Sequence, residues 1–203
     1  MKTVDRLLQR WRIAKIRPFL KPGARLLDIG CADGALARLA PEVGAYLGVD
    51  PGIEDSDSNP NCRRIKGRFP EALPDDAGEF DAIAMLAVLE HIPPAAQHSL
   101  AEACRRYLRP GGVALITVPC PAVDYLLAAL KFLRVIDGMS LEEHYGFDVR
   151  QTPACFVGAG LPLLVHRRFQ LGLNHLFVFR KPPDSMTANA DGRREAELAA
   201  TSA

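Results

Sequence analysis

Residues 26–39 read LLDIGCADGALARL: an apolar run stops at Asp28, turns through Gly30 and Gly34, and resumes at helical spacing. A strand that passes straight into a helix, with glycines at the joint, brings bare backbone close to whatever lies at the strand's carboxyl end, because glycine has no Cβ to hold a ligand away. The junction therefore reads as a binding turn at the edge of a sheet. A dinucleotide fingerprint G-x-G-x-x-G starting at Gly30 would need glycines at 32 and 35, where the chain has Ala32 and Ala35. Asp28 beside the turn also disfavours a pyrophosphate, which is held by helix N–H groups with no carboxylate next to it. A cationic ligand suits the turn better. Further on, the second apolar run, AYLGVD, ends at Asp50, where a carboxylate can accept both hydroxyls of a ribose.

The pattern around this junction sets the fold class. RLLDIG, AYLGVD, CRRIKGRF, DAIAMLAV, GVALITVP, PLLVHRRFQ and HLFVFRK are predicted as seven strands, with helices over 35–40, 95–108, 122–135 and 152–158. Strands alternating with helices imply an α/β protein with a mostly parallel sheet and helices on both faces. Only LGLN separates the last two strands, too little for a crossover helix, so they form an antiparallel hairpin. The polar, proline-bounded PGIEDSDSNPN is expected to be a loop with at most a turn of helix.

An amphipathic helix is expected over residues 1–20, with Val4, Leu7, Leu8, Trp11 and Ile16 on its apolar face and Lys2, Arg6, Arg10, Arg12, Lys15 and Arg17 around the rest. Such a basic helix is compatible with peripheral contact at an anionic membrane. A solvated charged face over a packed apolar one is the commoner arrangement, and Asp5 interrupts the basic field.

The 203 residues suffice for one domain, expected over 1–182 with its core at 24–181, while the small and polar residues 183–203 are expected to be a disordered tail. Basic and acidic residues nearly cancel to a formal charge of +1, so no nucleic-acid partner is expected. No signal peptide and no transmembrane run is predicted, which points to a cytoplasmic protein. Five cysteines without a C-x-x-C pair read as reduced thiols rather than a zinc site or disulfide frame. Monomer and homodimer both remain open.

These residues, in this order, resemble the class I S-adenosylmethionine-dependent methyltransferases of the type 11 group. LLDIGCADG is similar to that family's first motif, GVD to the acidic end of its second strand, FDAIAMLAVLEHIP to its strand-four motif and LRPGGVALITVP to its strand-five motif. The resemblance covers roughly 24–181 and implies a Rossmann-like seven-stranded methyltransferase sheet. It implies S-adenosylmethionine as cofactor, with S-adenosylhomocysteine as product, held by Asp28, Gly30, Cys31, Gly34, Asp50, Pro51, Phe69 and Leu86. After the third strand the family usually places an aspartate on the adenine amino group. This chain has GRFPEALP there, so adenine recognition is expected to rest on packing and on the backbone N–H of Phe69, Pro70 having none.

Methyl transfer needs an in-line nucleophile and in some cases a base, so catalytic candidates lie in the segments that follow the strands' carboxyl ends. His144 is the preferred base, with Glu90 and His91 beside it; Glu90-His91 also makes sense as helix-start structure before Pro93-Pro94. Some relatives bind a divalent metal through E-x-x-E-H, but Ala87 replaces the first glutamate, so no metal is predicted. The nearly apolar PAVDYLLAALKFLRVID sits where such enzymes cover their acceptor, which favours a small, hydrophobic or lipid-like acceptor with an O, N or C nucleophile. The alternative is a non-catalytic partner or regulatory protein on the same fold.

Overall fold

The computed structural model describes residues 3–59, 61–120 and 147–183. The predicted helix over 122–135, His144 and the tail beyond 183 lie outside the described residues. Helix α1 (Thr3–Ile16) leads into strand β1 (Arg25–Ile29), the short helix α2 (Ala35–Leu39) and β2 (Ala45–Asp50). Then come β3 (Ser56–Asn59), β4 (Cys62–Lys66), β5 (Phe80–Leu86), α3 (Pro94–Tyr107) and β6 (Leu108–Pro119). Helix α4 (Thr152–Gly158) precedes the hairpin of β7 (Leu163–Phe169) and β8 (Asn174–Arg180).

The strands form one sheet in the order β3-β4-β2-β1-β5-β6-β8-β7. From β4 to β6 the pairings are parallel, and β8 runs antiparallel to both β6 and β7, as the short LGLN connection requires. All seven predicted strands are present in a Rossmann-like sheet. The stretch expected to be a loop departs from that reading, because part of it pairs as β3 antiparallel to β4, with Ser56 opposite Arg64. Without β3 the outer edge of β4 would leave a row of backbone donors and acceptors unpaired, and a short edge strand covers it.

Central strands carry apolar residues on both faces, and alternation divides them. Leu27, Ile29, Ile83, Met85, Phe177 and Phe179 pack on the side of α3 and α4, where Leu100, Cys104 and Phe156 meet them. Leu26, Ala82, Ala84, Leu115 and Val178 face α1 and α2, against Ile13, Ile16 and Leu36. On that second face β5 offers Ala82 and Ala84 in its buried middle, small enough for α1 to lie close to the strand, with Leu86 at its end.

The expected buried face of α1 is corrected. Ile13 and Ile16 are its buried anchors, whereas Leu7 and Trp11 are 52% and 49% exposed. The helix has apolar residues on two sides, and only the pair that meets Ala82 and Ala84 is covered.

Candidate active site

At their carboxyl ends β1 leads into α2 on one face of the sheet and β5 toward α3 on the other, and a cleft of about 1400 Å³ opens there beside the end of β2. Its floor is the turn after β1. Gly30 holds φ at +75°, and a Cβ at that position would lie 2.3 Å from Val88 Cγ2, so only glycine lets the turn pass under the segment after β5.

Asp50 closes the floor from β2. Its Oδ2 accepts the Ala32 N–H at 2.9 Å and its Oδ1 accepts the Gly52 N–H at 2.8 Å. Each carboxylate oxygen keeps lone-pair capacity, so the group is aimed by two backbone donors and can still accept a pair of hydroxyls. Ala32 is held from its other side as well, because Arg64 of β4 donates to its carbonyl at 3.1 Å.

Asp28, 3% exposed, accepts the Tyr46 hydroxyl at 2.7 Å. Burial pushes its carboxyl up from 3.8 to about 7 even though the Tyr46 bond pulls the other way; the charges of Asp50 and Asp33 add to the rise. Cys31 is buried beside it, and desolvation first, then the neighbouring carboxylates, push its thiol up to about 12. It is a packed thiol, not a nucleophile.

Asp28, Gly30, Cys31, Asp50, Pro51, Phe69 and Leu86 all line the cleft. Gly34 does not; with φ at +70° it caps the start of α2, and its bare Cα leaves room for the Arg64 side chain on the far side of the turn. The Phe69 ring is mostly buried, edge-on to Tyr107 with centroids 5.6 Å apart. Of the catalytic candidates, His91 lines the cleft, in the short 3-10 turn after β5. Glu90 on the same turn is 2% exposed and lies outside the cleft lining.

Sequence reasoning missed one wall. Leu8, Gln9, Arg12 and Ile13 bring α1 over the cleft, and Gln9 donates to Asp33 Oδ1 at 3.1 Å, tying that helix to the glycine turn. Tyr46, Ala32 and Arg64 were missed too, because their roles depend on which strands become neighbours.

The chain matches the family model described as "Methyltransferase domain" over residues 2–154. It belongs to that methyltransferase family. The ubiquinone biosynthesis O-methyltransferase of Methylococcus capsulatus is 28% identical over 191 residues, covering 79% of this chain and 78% of that one. The protein of the same name from Psychrobacter arcticus is 33% identical over 130 residues, 57% of this chain, and this methyltransferase spans only about half of its length, 50%. Among solved structures, magnesium protoporphyrin IX methyltransferase of Synechocystis PCC 6803, with bound S-adenosylhomocysteine, superposes with a TM-score of 0.64 at 14% identity, covering 89% of this chain and 88% of that one.

The methyltransferase is thus of the class I type that uses S-adenosylmethionine. Its own residues fit that group. Asp50 offers paired acceptors for a ribose, and Ile29, Val49, Leu86 and Leu100 offer apolar walls for a purine. Among the described residues no helix is long and apolar enough to cross a membrane.

Proposed function

We propose that this methyltransferase transfers a methyl group to an oxygen nucleophile on a small, apolar or lipid-like acceptor. The extent of the cleft carries the reading. Its volume of about 1400 Å³ exceeds the roughly 300–1000 Å³ of a pocket for one drug-sized ligand. Besides the groups assigned to the cofactor, the lining includes Leu8, Ile13, Ala87, Val88 and Ile92, apolar surface suited to an acceptor with little charge, with Gln9, Arg12 and Arg106 among its polar members. The O-methyltransferase names of the relatives support oxygen as the receiving atom.

When bound, the cofactor supplies an electrophilic methyl group on a sulfonium. In this reading Asp50 fixes the ribose, Asp28 gives counter-charge once a bound sulfonium favours its ionised form, the turn from Gly30 to Ala32 and the backbone at Pro51 and Phe69 shape the cofactor's bed, and Leu86 packs against it. His91, at the acceptor end, takes the proton of the acceptor hydroxyl. Glu90 is passed over because its carboxylate is directed into the fold.

Release of S-adenosylhomocysteine is measured with a panel of phenols and catechols of increasing alkyl length, against amines, RNA and protein. Turnover rising with the apolar length of the phenol is the expected result. Turnover confined to amines or macromolecules would overturn the acceptor class, and turnover with nothing despite tight cofactor binding would favour a non-catalytic partner.

A further inference from the structure

Helix α1 presents two faces that work against each other. One is packed: Ile13 and Ile16 are buried, and Leu8, Gln9 and Arg12 overhang the cleft. The opposite pole carries Leu7, Trp11 and Ala14, all exposed, the first two at 52% and 49%. At 100° per residue this stripe is flanked by Arg6 and Arg10 on one side and Lys15 on the other.

A second exposed leucine, from a distant part of the chain, lies on a turn bound to the same helix. The β7–β8 turn holds Leu171 fully exposed, with its φ at +57° and that of the preceding Gln170 at +51°. Left-handed backbone is unusual for leucine, and an exposed leucine gains nothing from the fold in return. The turn is fastened to α1: Gln170 Nε2 donates to the Leu8 carbonyl at 3.4 Å, and Arg12 Nε to Asn174 Oδ1 at 3.5 Å. The β8 start pairs with the end of β6, so this turn stands at the same carboxyl edge of the sheet as the cleft.

We propose that Leu7, Trp11 and Leu171, with Arg6, Arg10 and Lys15 around them, form a docking surface for an anionic lipid bilayer, seating the cleft mouth at the membrane. The chemistry selects the partner. A tryptophan and leucines enter the interfacial region while arginine and lysine stay with lipid phosphates, and basic flanks favour anionic over neutral lipid. A nonpolar protein partner would leave the three cations without counter-charge. The proposal gives purpose to the lipid-like acceptor reading and rests on it for function, but binding to vesicles needs no acceptor, so either can fail without the other.

Trp11 is the only tryptophan in the chain, so its emission reports on the surface itself. The full chain is titrated with vesicles of phosphatidylcholine alone and of phosphatidylcholine mixed with phosphatidylglycerol, following emission and co-sedimentation together. Expected are a blue shift and pelleting with the mixed vesicles, both weakened by salt and both reduced by more than about tenfold in an Arg6→Glu/Arg10→Glu variant. Leu171→Ser should lower binding too, with S-adenosylhomocysteine affinity unchanged as proof of folding. No binding to mixed vesicles overturns the proposal. So does pelleting without a Trp11 shift, which would assign the contact to another part of the chain, and so does equal binding to neutral vesicles, which would remove the cations from it.

Discussion

Tyr46 Oη donates to Asp28 Oδ2 at 2.7 Å across adjoining strands, and both side chains are almost wholly buried. A carboxyl in that setting titrates late, from an ordinary 3.8 to about 7, with burial as the leading cause. Between those values the folded chain holds a proton that the unfolded chain has released. The contribution of Asp28 is therefore fully present below about pH 4, is lost as pH rises toward 7, and is flat above it. Asp28→Asn lacks this dependence, so its stability relative to wild type should rise by a few kcal/mol over that window, at roughly 1.4 kcal/mol per unit. His166 and His175, whose ring pKa values burial lowers, titrate in both proteins and cancel in the difference. Urea unfolding at a series of pH values measures it; a difference that does not vary with pH would show Asp28 to be ionised in the folded state.

Gly48 makes the Tyr46–Asp28 bond possible. It lies directly opposite Asp28 in the β1–β2 register, and a Cβ there would stand 2.7 Å from Cys31 Sγ and 3.0 Å from Tyr46 Oη. Both neighbours are buried and cannot swing into solvent. Gly48→Ala should cost about 1–3 kcal/mol by overpacking alone, seen as a lower urea midpoint. An unchanged midpoint would mean that the space around Cys31 is larger than this packing indicates.

Asp50 offers a sharper comparison than simple removal. Its two oxygens each accept a backbone N–H, from Ala32 and from Gly52, so an asparagine must turn its NH₂ toward one donor or the other. Asp50→Asn should therefore weaken S-adenosylhomocysteine as severely as Asp50→Ala, by more than about tenfold, or roughly 1.4 kcal/mol. Calorimetric titration decides it. An Asn variant that binds within about twofold of wild type would remove Asp50 from the ribose.

The parts of this molecule that could be read from its sequence are those whose signal is local. Strands such as RLLDI and FDAIAML are buried on both faces and so stand out as apolar runs, and Asp28, Gly30 and Asp50 announce themselves at strand ends. Strand β3 had no such signal, because the polar SDSN pairs only to cover the edge of β4. The register of α1 was also out of reach: Leu7 and Trp11 make as good an apolar face as Ile13 and Ile16 until Ala82 and Ala84 are known to lie beneath it. Gly34 illustrates a subtler limit, since its spacing from Gly30 signals a turn but not which side of the turn faces the ligand. The supporting residues Tyr46, Gly48 and Arg64 act across strand pairings that no stretch of sequence contains.

Arg64 brings that last point to a test. It pairs in register with Gly48, which in turn pairs with Asp28, so the three lie in one row across β4, β2 and β1. The arginine reaches past β2 to the turn after β1, where it donates to the Ala32 carbonyl at 3.1 Å and lies against Gly34. Ala32 has φ at +42°, a backbone setting uncommon for alanine, and is held in it by Asp50 on its N–H and Arg64 on its carbonyl. Loss of the arginine should loosen the turn that aims Asp50 while leaving the core untouched. Arg64→Ala is thus expected to weaken S-adenosylhomocysteine by roughly two- to tenfold, the range of one net hydrogen bond, with a urea midpoint close to wild type. Arg64→Lys should recover part of the affinity, since an ammonium can donate to the same carbonyl but lacks the fixed fork of the guanidinium. If affinity is unchanged in the alanine variant, the turn holds its shape without the strut; if stability falls in step with affinity, Arg64 acts on the fold and not on the site.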